Sequence, residues 1–130
     1  MSTHPFRAAV EAGRFDTIGE IFAENAVLHS PITRRPYRGR DAIALVVGAV
    51  ATVVDDFRFV AELCGPESSC GPTHHAFRFT AKVDGLELWG CDFLHTGRAG
   101  LIDEITVMMR PLKAVTAFAA RMREQLVTPG

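Results

Sequence analysis

The sequence predicts an α+β fold: a curved, mostly antiparallel sheet wrapped around helices, with an extra helix at the C-terminal end. Three observations carry this. Helical spacing dominates the first 54 residues, with one extended stretch between the second and third helices. Strand-like runs with alternating faces then fill residues 57–95, separated by turn residues, and Leu101–Arg110 follows as a β-branched run, apolar except at its ends. Such segregation of helices from strands marks α+β rather than α/β chains. Finally, Arg40–Val54 is apolar on nearly every side, so it is buried on more than one face or borders a cavity.

The elements follow in order. Phe6, Ala9, Val10 and Gly13 give His4–Phe15 a helical spacing, with Pro5 in the first turn and Thr3 or His4 as cap. Asp16–Ala23 reads as a second short helix with Ile18, Ile21 and Phe22 on its stripe. Ala26–Ile32 switches to an extended pattern and stops at Pro31. Thr33–Gly39 is a basic loop holding the single tyrosine, Tyr37. The third helix follows, ended by Asp55-Asp56. Phe57–Leu63 and His74–Val83 alternate as strands, joined by CGPESSCGP, which is turn chemistry throughout. Asp84-Gly85 is a two-residue hairpin signal into the next strand, Leu86–His95. The glycine-bearing loop Thr96–Gly100 leads to the last strand, Leu101–Arg110. Leu112, Val115, Phe118, Ala119, Met122 and Leu126 form one stripe of a closing helix, after which VTPG frays.

Composition sets the outer limits. At 130 residues, 48% hydrophobic and 22% charged, the chain suits one domain over 1–130 with a real core. Its net charge is −1 and no basic block stands out beyond Arg34–Arg35, so no nucleic-acid partner is expected. No run of 18 apolar residues occurs, so no membrane span is expected, and the N-terminus lacks a secretory h-region, which gives a cytoplasmic address by default. Three cysteines, Cys64, Cys70 and Cys91, lack C-x-x-C spacing and read as reduced thiols, although Cys64 and Cys70 could approach across a turn.

Asp92 is the residue that calls for a function. Leu86, Leu88, Gly90, Asp92 and Leu94 share one side of their strand; Glu87, Trp89, Cys91, Phe93 and His95 share the other. A carboxylate in register with leucines needs a partner or a task. It reads either as a general acid–base group or as a structural carboxylate bonded to Arg110, Arg78 or a backbone N–H. His29, among Val27, Leu28 and Ile32, is its candidate partner or a core-satisfied imidazole. Arg110 would bind an anionic group or pair with Asp92, or stand exposed at the strand end. Leu88, Met108 and Tyr37 complete the candidate ligand-binding set. His74 and His75 are adjacent on a strand, face opposite sides and cannot chelate together, so no metal and no cofactor are expected. Trp89, Cys91 and Phe93, with Phe77 and Phe79 if the strands pair in register, would form an outer face buried in a homodimer.

FRAAVEAGRFDTIGEIFAENAVLHSPI, YRGRDAI and WGCDFLHTGRAGLIDEITVMMRP, in that order and spacing, resemble the nuclear transport factor 2-like superfamily and its SnoaL-like group. The resemblance implies a cone-shaped α+β barrel of cystatin-like topology. It also implies a small hydrophobic molecule as partner, and a proton-transfer or hydrolytic activity of the isomerase, cyclase or epoxide hydrolase kind. The alternative is a non-catalytic binding or dimerisation module. Ketosteroid isomerases place a tyrosine on the first helix; here Tyr37 lies in a loop. Limonene epoxide hydrolases use an aspartate–arginine–aspartate set, of which Asp92 and Arg110 would supply two members. Ile105–Met109 holds no aspartate, so the acid–base residue that SnoaL-type cyclases carry on this strand is missing.

Overall fold

The computed structural model describes residues 4–65, 74–97 and 99–126. Helix α1 (Pro5–Glu11) is followed by a 3-10 turn (Ile18–Ile21), strands β1 (Phe22–His29) and β2 (Tyr37–Arg38), and helix α2 (Arg40–Val53). Then come β3 (Asp55–Cys64), β4 (His74–Val83), β5 (Leu86–Thr96), β6 (Ile102–Arg110) and helix α3 (Leu112–Leu126). The six strands form one open, curved sheet in the order β2-β1-β6-β5-β4-β3. All neighbours are antiparallel except β1 and β6, which run parallel. Helix α2 packs on β1 and α3, and α3 packs on β4, β5 and β6, so the helices cover the concave face. No described helix is long and apolar enough to cross a membrane.

Most expected elements are present; the differences have local causes. The first helix ends at Glu11 rather than Phe15, where Gly13 N–H bonds Val10 O and Arg14 N–H bonds Ala9 O. His4 is its cap, the ring Nδ1 accepting from Phe6 N–H at 3.1 Å. The expected second helix, Asp16–Ala23, shrinks to one 3-10 turn. Phe22 instead opens β1 and pairs with Ile102. Its buried side chain fits either element; the ladder to β6 decides, as tertiary pairing overrides propensity. Tyr37-Arg38, expected in a loop, adds a two-residue edge strand against Val27 and Leu28. Cys70 and Arg98 lie outside the described residues, as do Thr3 and the VTPG tail.

The β4–β5 hairpin closes through Asp84 and Gly85, both left-handed at φ 51° and 79°. Those two signs are what a two-residue hairpin needs to match the sheet's twist. From this turn the register runs unbroken, Phe77 facing Asp92 and Phe79 facing Gly90. Phe77 and Phe79 are therefore on the concave side and fully buried, not on the outer face where a partner would cover them. Strand β3 is interrupted twice, between its pairs at Asp55 and Arg58 and between those at Phe59 and Ala61. Interruptions of this kind bend a strand and increase its twist.

Gly90 is fixed by packing. A Cβ there would strike the Phe79 ring at Cζ and stand 2.7 Å from the Met108 carbonyl oxygen. The Phe79 ring lies across the bare backbone of β5, a cross-strand pairing that only glycine admits. Gly90→Ala should therefore lower stability by ~2 kcal/mol or more, the scale of overpacking a tight core. Urea unfolding checks this. A smaller ring in Gly90→Ala/Phe79→Leu should recover part of the loss, but the carbonyl contact keeps the double variant below wild type.

Candidate active site

A cavity of about 450 Å³ lies between the concave face of the sheet and the helices. Helix α1 contributes Phe6 and Val10, and α2 contributes Val46, Val47, Val50 and Ala51 along one side. The all-round apolar character of α2 is thus explained: one side meets the sheet and α3, and another borders open space. The sheet contributes Leu28, Phe59, Phe79, Ile105, Val107 and Met109, and α3 contributes Phe118 and Met122. Four polar residues among those described line the wall: Glu11, Ser30, Arg58 and Asp92. Glu11 and Arg58 are exposed, while Phe57, Val47 and Ala51 are half-buried, which puts the opening near the ends of α1 and α2 and the start of β3. Arg58 shares the wall with both Phe57 and Phe59. Three consecutive residues can do so only where the alternation of a strand is broken, and β3 breaks there.

Asp92 is only 6% exposed and is the one buried charged residue among those described. Its ladder neighbours are Phe77 on β4 and Val107 on β6. Among the described residues no hydrogen bond or ion pair reaches its carboxyl group. Desolvation alone pushes its pKa from 3.8 up to about 7. Near neutrality this group is therefore divided between acid and carboxylate. It can take a proton from a substrate carbon and return one, the requirement for a general acid–base catalyst working at that pH.

The structure separates the other expected site residues from Asp92, for one reason: side chains alternate along a strand, and one step in parity moves a residue to the other face. His29 lies between Leu28 and Ser30, both on the cavity wall, and so points outward. Its Nε2 stands 3.0 Å from Glu104 Oε2 on the outer face, and it cannot serve Asp92. Arg110 is also outside, its guanidinium 5.6 Å from the centre of the Trp89 ring; Arg78 flanks the same ring at 5.5 Å. Neither arginine can pair with Asp92, so the expected set of Asp92 with Arg110 is not formed. Met108 is 58% exposed on the outer face, and Met109, one residue on, lines the cavity instead. Leu88 is on the correct face but is fully buried in the core beyond the cavity wall. Tyr37 is half-buried on the edge strand and also misses the wall.

Sequence reading missed Phe6, Val10, Ser30 and Arg58 as wall residues. The alternation that places Asp92 could have placed Leu28 and Ser30 as well. Nothing local signals Arg58, because its position depends on the break in β3. His74 and His75, adjacent on β4, face opposite sides of that strand. Across strands, Glu62, Cys64 and His75 come together, with ligand atoms all within 4.8 Å of one another.

Burial of Asp92 has a thermodynamic cost. At ~1.4 kcal/mol per pH unit, ionising it in place costs about 4 kcal/mol relative to the unfolded chain. The sign follows from the raised pKa. Below about pH 4 the group is protonated in both states and that stability is fully present. As pH rises toward 7 the unfolded chain releases its proton first, so stability falls, and it levels off above 7. Asp92→Asn removes the titration while keeping the shape. Denaturant unfolding should find the variant ~2–4 kcal/mol more stable than wild type at pH 8, with the gap narrowing to little at pH 4.

Comparison with known proteins agrees with this geometry. The SnoaL-like domain matches residues 4–105. An uncharacterized protein conserved in bacteria, with a cystatin-like fold, from Silicibacter pomeroyi superposes at TM-score 0.85 and 28% identity, over 95% of this chain and 84% of that one. A steroid delta-isomerase from Pseudomonas aeruginosa superposes at TM-score 0.81 and 24% identity, over 95% and 93%. A protein of ketosteroid isomerase-like fold from Catenulispora acidiphila, in complex with trimethylamine, gives 0.63 at 14%, over 89% of each chain. At 24% and 14% the likeness is one of fold. None of the curated proteins matches. The chain belongs to the SnoaL-like domain family, within the nuclear transport factor 2-like superfamily.

Proposed function

We propose that this protein is a proton-transfer enzyme acting on an apolar carbonyl compound, with Asp92 as its general base and acid. The observation that carries the reading is a carboxyl group without a partner among the described residues, on the wall of an apolar cavity, with its pKa pushed to about 7. A carboxylate held there at a cost to the fold is suited to removing a proton next to a carbonyl group. In an isomerisation the α-carbon loses its proton to Asp92 and the electron pair moves onto the carbonyl oxygen; the pair then returns through the conjugated system as the γ-carbon takes a proton from the Asp92 carboxyl, which exchanges with solvent in between. The Ser30 hydroxyl and the Arg58 guanidinium are the wall's donors toward such an oxygen. The volume, about 450 Å³, suits a compact cyclic ligand. The likeness to a steroid delta-isomerase supports the reaction class through fold analogy only.

A panel of cyclic β,γ-unsaturated ketones, followed by conversion to the conjugated isomer and, in deuterated water, by deuterium uptake at the γ-carbon, tests the reading. One member should turn over, with kcat/KM rising with pH through about 7 as the carboxylate forms. Asp92→Asn should lose ~10²–10⁴-fold in kcat, the usual worth of a general base, with little change in affinity. His29→Ala should stay within about twofold, since the imidazole is outside. Full activity in Asp92→Asn would refute the acid–base role. Binding across the panel without turnover would instead identify a binding module built on the same cavity.

We also propose a homodimer through the outer face of the sheet. Trp89, Phe93 and Met108 are exposed there, on three successive positions of the β5–β6 surface, and an apolar sheet face of this kind is a liability in a lone chain. Sedimentation at micromolar concentration should give about twice the 14.2 kDa chain mass. Met108→Glu should shift it toward the monomer, and a monomeric wild type would refute the interface.

A further inference from the structure

We propose that Glu62, Cys64 and His75 bind a borderline-soft divalent cation, zinc foremost, at the open edge of the sheet away from the cavity. Register assembles the set. Glu62 and Cys64 are two residues apart on β3 and so share a side of that strand. The ladder partner of Cys64 is His75 on β4. The three ligand atoms lie within 4.8 Å of one another. Around zinc, with bonds of ~2.3 Å to sulfur and ~2.0–2.2 Å to nitrogen or oxygen, tetrahedral ligands stand ~3.3–3.7 Å apart. Closing the set by about an ångström is within reach of Glu62, whose exposed side chain has only a long, 3.7 Å contact to Arg7 Nη1.

A second observation points to a missing ligand at this corner. The Nδ1 of His75 is shielded from solvent and has no hydrogen-bond partner among the described residues. A buried nitrogen in that state is costly, and each such group calls for an explanation such as an ion. The donor set chooses the ion. A thiolate with an imidazole suits zinc, whereas magnesium and calcium take oxygen ligands. Three protein ligands leave a fourth position, and Glu62 and Cys64 are exposed, so that position is open to solvent. Binding would displace the proton of the Cys64 thiol, so affinity should increase with pH. The site is independent of Asp92 and stands or falls apart from the reaction proposed above.

The test uses the full chain, reduced and freed of metal with a chelator. Cobalt is titrated in first, followed by its thiolate-to-metal charge-transfer absorption, and zinc is then added to displace it. One cobalt per chain should bind with that absorption, and one zinc should bleach it. Cys64→Ser should abolish the absorption, and Glu62→Gln and His75→Gln should each weaken zinc by at least about tenfold, the lower end of what losing even an outer partner costs. Cys91→Ser, on another strand, should change nothing. Zinc should raise the melting temperature of wild type and leave that of Cys64→Ser unmoved, with circular dichroism confirming that both are folded. Absence of the charge-transfer absorption in wild type overturns the site. So does zinc affinity that is unchanged in any of the three ligand variants.

Discussion

The structure depends on how one carboxyl group is kept out of water. Asp92 is in β5 between buried leucines at 88 and 94, and the unbroken β4–β5 register gives it Phe77 as a neighbour. Moving it to the solvent side would require a shift of one residue, and that shift would bring Trp89, Cys91 and Phe93 into the core and expel Leu88 and Leu94. The hydrophobic pattern of β5 therefore holds the carboxyl inside even though ionising it there opposes folding. Groups with perturbed proton affinity concentrate where a protein does chemistry, because stability alone gives no reason to keep them.

The space in front of Asp92 has its own causes. A flat sheet under two helices would fill with side chains. Here β3 is bent by two interruptions, and Phe79 folds across Gly90, so β5 carries no side chain at the position next to the carboxyl. Helix α2 then faces the gap with valines and an alanine, which are too short to fill it. A cavity results that is apolar nearly throughout, and the low polarity that makes it receptive to a hydrophobic molecule is the same property that raises the proton affinity of Asp92. Ligand preference and acid strength are in this sense one feature. A bound apolar molecule would displace water from the wall and strengthen both.

Much of this was legible in the sequence. Period-two runs placed β4 and β5, and a β-branched apolar run placed β6, within about a residue of their ends, and the stripe from Leu112 to Leu126 placed α3 in full. Parity along β5 put Asp92 on the inner side. The same rule, applied to β1, would have turned His29 outward once Leu28 was taken as inner, but the consecutive apolar residues Ala26, Val27 and Leu28 before it hid the alternation. For β4 the pattern was clear, yet which of its two faces was the inner one depended on the register with β5, and Phe77 and Phe79 were placed on the wrong side for that reason. Asp16–Ala23 failed for a different reason: its apolar spacing is compatible with a helix, and only the distant partner Ile102 makes Phe22 a strand residue. Arg58 and the trio Glu62, Cys64 and His75 share a cause. Each depends on how two strands are aligned, and alignment is a property of pairs that no single stretch records.

The two faces of the sheet also differ in chemistry. On the concave side the buried ionisable group is Asp92, in a largely apolar wall, whereas the histidines at 29, 74 and 95 stand outside, paired with or near Glu104 and Asp103. Those paired side chains are largely open to water, and solvent screens the interaction between them. Asp92 has neither screening nor a described partner, and its proton affinity is set almost wholly by the surrounding side chains. A change of wall residue far along the cavity can therefore alter that affinity without touching the carboxyl, by admitting or excluding water. Rehydrating the carboxyl is then enough for its proton to be lost below neutrality.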